Sequence, residues 1–337
     1  MHRLSTLALS LALSLLPATT LAGSFTDVPD SHQAATAIEE LKTRGIIAGY
    51  PDGTFRPDEK VNRAAAVKMI VAGLSTEAER ASVTVPSYGD VPADIWFAPF
   101  VAWANVKLGI IDGPDKRPNF EPNRSVTKAE FLKIFLLAQK ANPAGAYAEI
   151  TLPLAEDVQK SDEWFYPYFR YALSAAMTSV TKEGTLNPGQ ELSRAQVALL
   201  MHRYLSYKEK GNLQSLLSLA NTEIGNVKHM MDQKQPDQAW FASVRGMIFA
   251  RGALAVRADE PLVKAAVKAT EAYNLLMSGW RAGLKGDYAK AEADAKAAWA
   301  LGDKVREFSS TLEQMATDIQ SSASTLASDA RKQLGGA

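Results

Sequence analysis

Cysteine is absent from the 337 residues, which excludes disulfides, thiolate zinc sites and a cysteine nucleophile. Histidine is scarce. His2, His32, His202 and His229 lie at least 27 residues apart with no H-x-x-x-H spacing, so the sequence writes no metal site and no cofactor is expected. An excess of one charge is missing too. Lys plus Arg and Asp plus Glu both number 37, and the stretch from Asn212 onward holds 15 basic against 14 acidic residues. Neither half therefore offers the polycationic surface on which nucleic-acid binding depends. Apolar residues at 47% can fill real cores, while 22% charge and a mean hydropathy of −0.13 argue against a disordered chain and against a polytopic membrane protein.

Long hydrophobic runs are lacking except at the start. His2 and Arg3 precede an apolar run from Leu4 to Leu16, followed by Pro17 and the small-residue stretch Ala18 to Ala22. That is the layout of an export signal over residues 1–22, cleaved after Ala22, with an apolar core too short to span a bilayer. No second stretch reads as long and apolar enough to cross a membrane. A lipoprotein anchor needs a cysteine after the cleavage site and is excluded.

From Phe25 to about Ser206 one pattern is written three times. Phe25-Thr26-Asp27-Val28, Tyr88-Gly89-Asp90-Val91 and Ala155-Glu156-Asp157-Val158 recur at separations of 63 and 67, and Asn62-Arg63-Ala64-Ala65, Thr127-Lys128-Ala129-Glu130 and Ser193-Arg194-Ala195-Gln196 recur at 65 and 66. Between them lie Gly45-Ile46-Ile47-Ala48-Gly49-Tyr50-Pro51-Asp52-Gly53-Thr54-Phe55-Arg56-Pro57, then Gly109-Ile110-Ile111 leading to Phe120-Glu121-Pro122, and the reduced Gly184-Thr185-Leu186-Asn187-Pro188. Each copy reads as helix, turn-rich loop, helix. Ala34, Ala37, Ile38 and Leu41 make a helical stripe that Gly45 ends. Asn62, Thr127 and Ser193 are N-cap residues, and Thr127 with Glu130 and Ser193 with Gln196 form capping boxes, a device the first copy halves by carrying Ala65. A unit of about 65 residues buries too little alone, so the three are expected to share a core.

The motif Gly-Ile-Ile-x-Gly-Tyr-Pro-Asp-Gly-Thr-Phe-x-Pro, followed by a Thr-Arg-Ala-Glu type helix start, resembles the S-layer homology domain of bacterial cell-surface proteins. The first copy carries it almost whole, the second through Trp96-Phe97-Ala98-Pro99-Phe100 and Gly109-Ile110-Ile111, the third through Trp164-Phe165-Tyr166-Pro167-Tyr168 and Ser193-Arg194-Ala195-Gln196. The resemblance covers Ser24 to Ser206. It implies a mainly α fold, a pseudo-threefold trimer of helix-loop-helix lobes around a central three-helix bundle with ligand grooves between lobes. It also implies non-covalent attachment to cell-wall polysaccharide, sometimes pyruvylated, or to peptidoglycan, and a location at the cell wall or surface, or in the periplasm or outer envelope of a double-membraned cell. The expected lobes are residues 23–80, 81–145 and 146–206.

On this resemblance Arg63 and Arg194, one residue inside a helix N-terminus, are expected to hold a carboxylate, where unpaired N–H groups and the helix dipole favour an anion. Lys128 keeps the charge and loses the planar fork. Asp27, Asp90 and Asp157 are candidate groove residues or partners of these cations. Trp96 and Trp164 suit stacking on a sugar face or core packing, and the first copy has Gln33 at that place. Gly49 and Gly53 are expected to serve backbone shape first and close approach to ligand second.

Residues 207–337 read as a separate helical part, a bundle or coiled coil, with helices over roughly 212–233, 237–257, 261–283, 287–300 and 303–334. Val305, Phe308, Leu312, Met315, Ile319 and Leu326 space out as a heptad seam on the last of them, either a packed face in an antiparallel bundle or an oligomerising coiled coil. Two function classes remain: a non-enzymatic envelope anchor whose helical part is a spacer, a self-assembly unit or a platform for an envelope partner, and a wall-anchored glycan hydrolase. Against the enzyme, residues 212–337 hold one histidine and no Gly-x-Ser-x-Gly elbow.

Overall fold

Each repeat is locked by its aspartate. In a computed structural model that describes residues 25–84, 88–112 and 116–335, Asp27 accepts hydrogen bonds from the N–H groups of Phe55 and Arg56, Asp90 from those of Phe120 and Glu121, and Asp157 from those of Leu186 and Asn187. The second residue of each pair is left-handed, with φ of 58° at Arg56, 62° at Glu121 and 51° at Asn187. A non-glycine residue is strained there, and the carboxylate, accepting from its N–H and from the N–H before it, holds it in place. The expected export signal over residues 1–22 lies outside the described residues.

The first helices of the lobes are α1 (Ala35–Thr43), α4 (Ala98–Val106) and α6 (Tyr166–Ser174), and the second helices are α2 (Arg63–Ala72), α5 (Lys128–Ala138) and α7 (Arg194–Lys210). A short α3 (Glu77–Ala81) between lobes 1 and 2, which the sequence reading missed, starts at Thr76-x-x-Glu79, a complete capping box. The expected caps at Asn62, Thr127 and Ser193 accept from the third N–H of their helices, with full boxes at Thr127 and Ser193.

The lobes are linked in a ring. The Val61 N–H donates to the Leu192 carbonyl at 2.9 Å, Leu192 to Val126 at 3.1 Å, and Val126 back to Val61 at 2.9 Å. The first two N–H groups of each second helix are taken by the loop that precedes the second helix of another lobe. Arg63 and Ala64 donate to Arg124 and Pro122, Lys128 and Ala129 to Gln190 and Pro188, and Arg194 and Ala195 to Glu59 and Pro57. These are the orphan donors of a helix start, so inter-lobe pairing replaces water there. In the same cyclic order α2 packs on α4, α5 on α6 and α7 on α1, over one hydrophobic core that runs through all three lobes. Phe131 and Phe135, fully buried and stacked in that core, each contribute about 2–3 kcal/mol of burial.

The chain continues into α8 (Leu213–Asp232), α9 (Pro236–Val256), α10 (Pro261–Leu284), α11 (Tyr288–Phe308) and α12 (Glu313–Gly335), each packed on the next. Small residues set their spacing: Gly279 faces the Ala291 carbonyl, and Gly302 faces that of Ala316. Two expectations are corrected. The heptad seam does not lie on one helix, because α11 runs on to Phe308 and an extended Ser309 followed by a turn over 310–312 reverses the chain before α12. Val305 thus meets Ala316 and Ile319 across a hairpin, in a core of its own. The other correction concerns α9, which is long and apolar enough, by length and composition, to cross a membrane. In this fold it is a core helix, two thirds of that stretch being buried.

Helix α9 also ties the two parts together. Arg245, buried, pairs bidentately with buried Glu223 of α8 at 2.7 and 2.9 Å and donates a third bond to the Leu154 carbonyl of lobe 3. Where α9 crosses the end of α6, a Cβ on Gly252 would collide with the Ser174 carbonyl, so only glycine permits the approach. The boundary expected at residue 206 falls inside α7, which is continuous from Arg194 to Lys210.

Candidate functional site

The ring of lobes leaves two related grooves. Groove I, about 430 Å³, lies between the loop from Ile46 to Pro51, the α2 face carrying Lys68, Trp96 of lobe 2 and Arg194 of lobe 3. Groove II, about 560 Å³, repeats this one lobe on, with the loop from Gly109 to Asp112, Lys133 on α5, Trp164 of lobe 3 and Arg63 of lobe 1. Three lobes therefore contribute to each groove, and the cation at its back comes from the lobe before it in the cyclic order.

Arg194 donates from Nε to the Phe55 carbonyl at 2.7 Å and from Nη2 to the Ala48 carbonyl at 2.9 Å, its guanidinium lying over the rings of Tyr50 and Phe55. Its remaining N–H groups are not spent on these two carbonyls, and the residue lines the groove. Arg63 donates from Nε to the Phe120 carbonyl at 3.0 Å and has Glu130 at 4.0 Å. Burial lowers the pKa of both, with Arg124 adding repulsion at Arg63; both stay charged near neutrality. Burial raises the Glu130 carboxyl, but the Arg124 fork and the Thr127 N–H outweigh it and bring the group down to about 2. Groove II therefore holds a fixed negative charge where groove I has Ala65, and the carboxylate that lines groove I and acts on Arg194 is Glu59, on the loop before α2.

Lys128 takes the corresponding place in lobe 2. It is buried, donates to the Leu186 carbonyl at 2.9 Å and lines neither groove. Burial pulls its pKa down to about 8, Asp157 opposing this and Arg203 adding to it. The three cations thus share one structural task, holding the carbonyl of the stapled loop in another lobe. The aspartates Asp27, Asp90 and Asp157 accept with both oxygens from backbone N–H groups and so serve the loops first, while the charge of Asp157 still favours the Lys128 ammonium and that of Asp27 the Arg194 guanidinium. The expectation that free N–H groups at these helix starts favour an anion is corrected: the first two are paired to neighbouring lobes and the third to the cap.

Trp96 and Trp164 are 54% and 52% exposed, far above the core aromatics. Each carries a lysine ammonium over its ring, Lys68 at 5.2 Å and Lys133 at 5.5 Å. The sequence reading missed these lysines, although they recur at 65 residues like the motif itself; Leu199 stands at the third position, as Gln33 does for the tryptophan. Gly49 lines groove I, and a Cβ there would strike the Phe25 ring and the Thr54 carbonyl. Gly53, at φ 81°, closes the turn through its N–H to the Tyr50 carbonyl and lies off the groove lining. No cluster of three or more His, Asp or Glu able to hold a metal occurs among the described residues.

The family described as the S-layer homology domain matches residues 24–67, 87–132 and 156–198. The chain carries three tandem S-layer homology domains. The S-layer homology region is similar to an S-layer protein of Bacillus anthracis, 29% identical over 196 residues, or 58% of this chain and 22% of that protein. An S-layer protein of Bacillus licheniformis is 33% identical over 113 residues, 34% of this chain and 12% of that one. An uncharacterized cell wall amidase of Bacillus anthracis is 34% identical over 137 residues, 40% and 24% of the two chains. The chain spans less than a quarter of the length of each of these. The S-layer homology domains and these relatives put it at the cell surface or wall.

Proposed function

We propose that the chain attaches non-covalently to cell-wall glycan, grooves I and II each taking an acidic sugar, for example a pyruvylated one. The observation that carries this reading is the recurrence, in both grooves, of a guanidinium at the back, a half-exposed tryptophan on one wall and a lysine over that tryptophan. The rest of a guanidinium for a carboxylate, a flat ring for the C–H face of a sugar and a second cation fit an anionic saccharide, and the absence of this set from the third position argues that it is no by-product of the fold. The chemistry is binding without bond making. The five helices behind the anchor act as a spacer, an assembly unit or a platform for an envelope partner, and Glu223 with Arg245 docks them on lobe 3.

Sedimentation of the purified protein with sacculi, before and after hydrofluoric-acid stripping of secondary polymers, tests the reading. Co-sedimentation is expected, and its loss on stripping identifies a secondary polymer over bare peptidoglycan. No binding to either preparation overturns it. Amidase and amylopullulanase relatives also match the chain. Clearing of a sacculus suspension by this protein alone establishes the alternative, a wall-anchored hydrolase.

A further inference from the structure

A cavity of about 530 Å³ opens where the loop after α6 meets α7 and the start of α8. Thr178, Ser179, Arg203, Gln214, Ser215 and Ser218 line it, with no carboxylate in the wall. Its inner wall is the counterpart of the other two grooves: Thr178 and Ser179 stand where Ile47 and Ala48 line groove I and Ile111 and Asp112 line groove II, and Arg203 stands where Leu137 lines groove II. The tryptophan and lysine are replaced by Gln33 and Leu199, and α8 supplies the opposite wall instead. Arg203 is exposed to solvent, yet enough of the protein surrounds it that burial lowers its pKa, and no acidic group acts on it. A second cation, Lys128, is close enough to feel its repulsion. The acid that acts on that lysine, Asp157, is committed by hydrogen bonds to its own loop.

We infer that this junction binds an acidic sugar residue, with its carboxylate on Arg203 and its hydroxyls on the Ser, Thr and Gln side chains of the wall. One guanidinium with no carboxylate in the wall matches a single negative charge, and four hydroxyls with the amides of Asn212 and Gln214 match a polyol better than a compact inorganic anion. The site is separate from grooves I and II. It joins the anchor to the helical part, so an occupied site clamps α8 to lobe 3.

The test uses glucuronate as probe and amide chemical shifts as readout, on the full chain carrying Arg63→Lys and Arg194→Lys to weaken the other grooves. Saturable shifts at Ser179, Gln214 and Ser215 are expected, about tenfold weaker with Arg203→Gln added, as the loss of a charged hydrogen bond requires. Neutral galactose should leave these amides unmoved. Arg203→Lys, which keeps the charge and loses the fork, should fall between, and circular dichroism should show every variant folded. Absent shifts, shifts indifferent to Arg203→Gln, or sulfate binding as tightly as glucuronate overturns the inference. The reading of grooves I and II stands or falls separately, on sacculus binding by the chain with Arg203→Gln alone.

Discussion

Replacing Arg63 and Arg194 by lysine separates their two roles, because lobe 2 already shows what lysine does at this position. Lys128 holds the Leu186 carbonyl at 2.9 Å as Arg194 holds that of Phe55 at 2.7 Å. Arg63→Lys and Arg194→Lys should therefore keep one inter-lobe hydrogen bond each, at a stability cost below about 1.5 kcal/mol per site. What they lose is the remainder of the fork that faces the groove. A hydrogen bond to a charged group contributes about 1.5–3 kcal/mol, so each groove should bind about 10- to 100-fold more weakly. Alanine is the poorer probe. It strands the buried carbonyl of Phe55 or of Phe120, at about 1–3 kcal/mol each, and mixes unfolding with lost chemistry. The assay is sedimentation with sacculi at fixed salt, paired with thermal unfolding of the same samples. A double lysine variant with wild-type melting and wild-type affinity would show that the arginines only tie lobes together, and the ligand role would be lost.

Further outcomes rest on the same contacts. Glu130→Gln copies Gln196 of lobe 3, keeps the capping box and removes the carboxylate 4.0 Å from Arg63, so groove II should gain affinity for an acidic sugar by about threefold to tenfold, read by sacculus binding in the Arg194→Lys background; weaker binding would contradict the charge argument. Lys128 is held down to about 8 from its ordinary 10.5, so its buried charge penalises the fold fully below pH 8 and the penalty fades as pH rises to 10.5, by about 3 kcal/mol in all; the unfolding free energy of Lys128→Met should lack that rise relative to wild type between pH 8 and 10.5, and parallel pH curves would refute it. Arg245→Met should cost about 3–5 kcal/mol in chemical denaturation by leaving Glu223 buried without its partner, whereas a loss below about 1 kcal/mol would mean the pair does not hold the two parts together.

Much of the anchor was legible because its devices are local. Asn62, Thr127 and Ser193 announce helix starts by chemistry acting within three residues, and the repeat step alone was enough to line up the aspartates. What each aspartate does was not legible, since its partners are backbone N–H groups about 30 positions away that carry no residue code. The same holds for the ring through Val61, Val126 and Leu192. Lys68 and Lys133 were readable from the repeat step, but they sit outside the motif, on the helix behind it, where a lysine on a solvated face carries no signal of its own. The reversal between α11 and α12 escaped for another reason. No glycine or proline marks Ser309, and the spacing of three and four continues across the turn, because both arms of a hairpin face one core.

The central claim is that an acidic group on the wall glycan is what the grooves hold. Sacculi whose carboxylates have been converted to neutral esters test it without knowing the polymer. Co-sedimentation of the wild-type protein should fall to the level of the double lysine variant on esterified walls and return when the esters are hydrolysed. Undiminished binding to esterified sacculi would contradict the account.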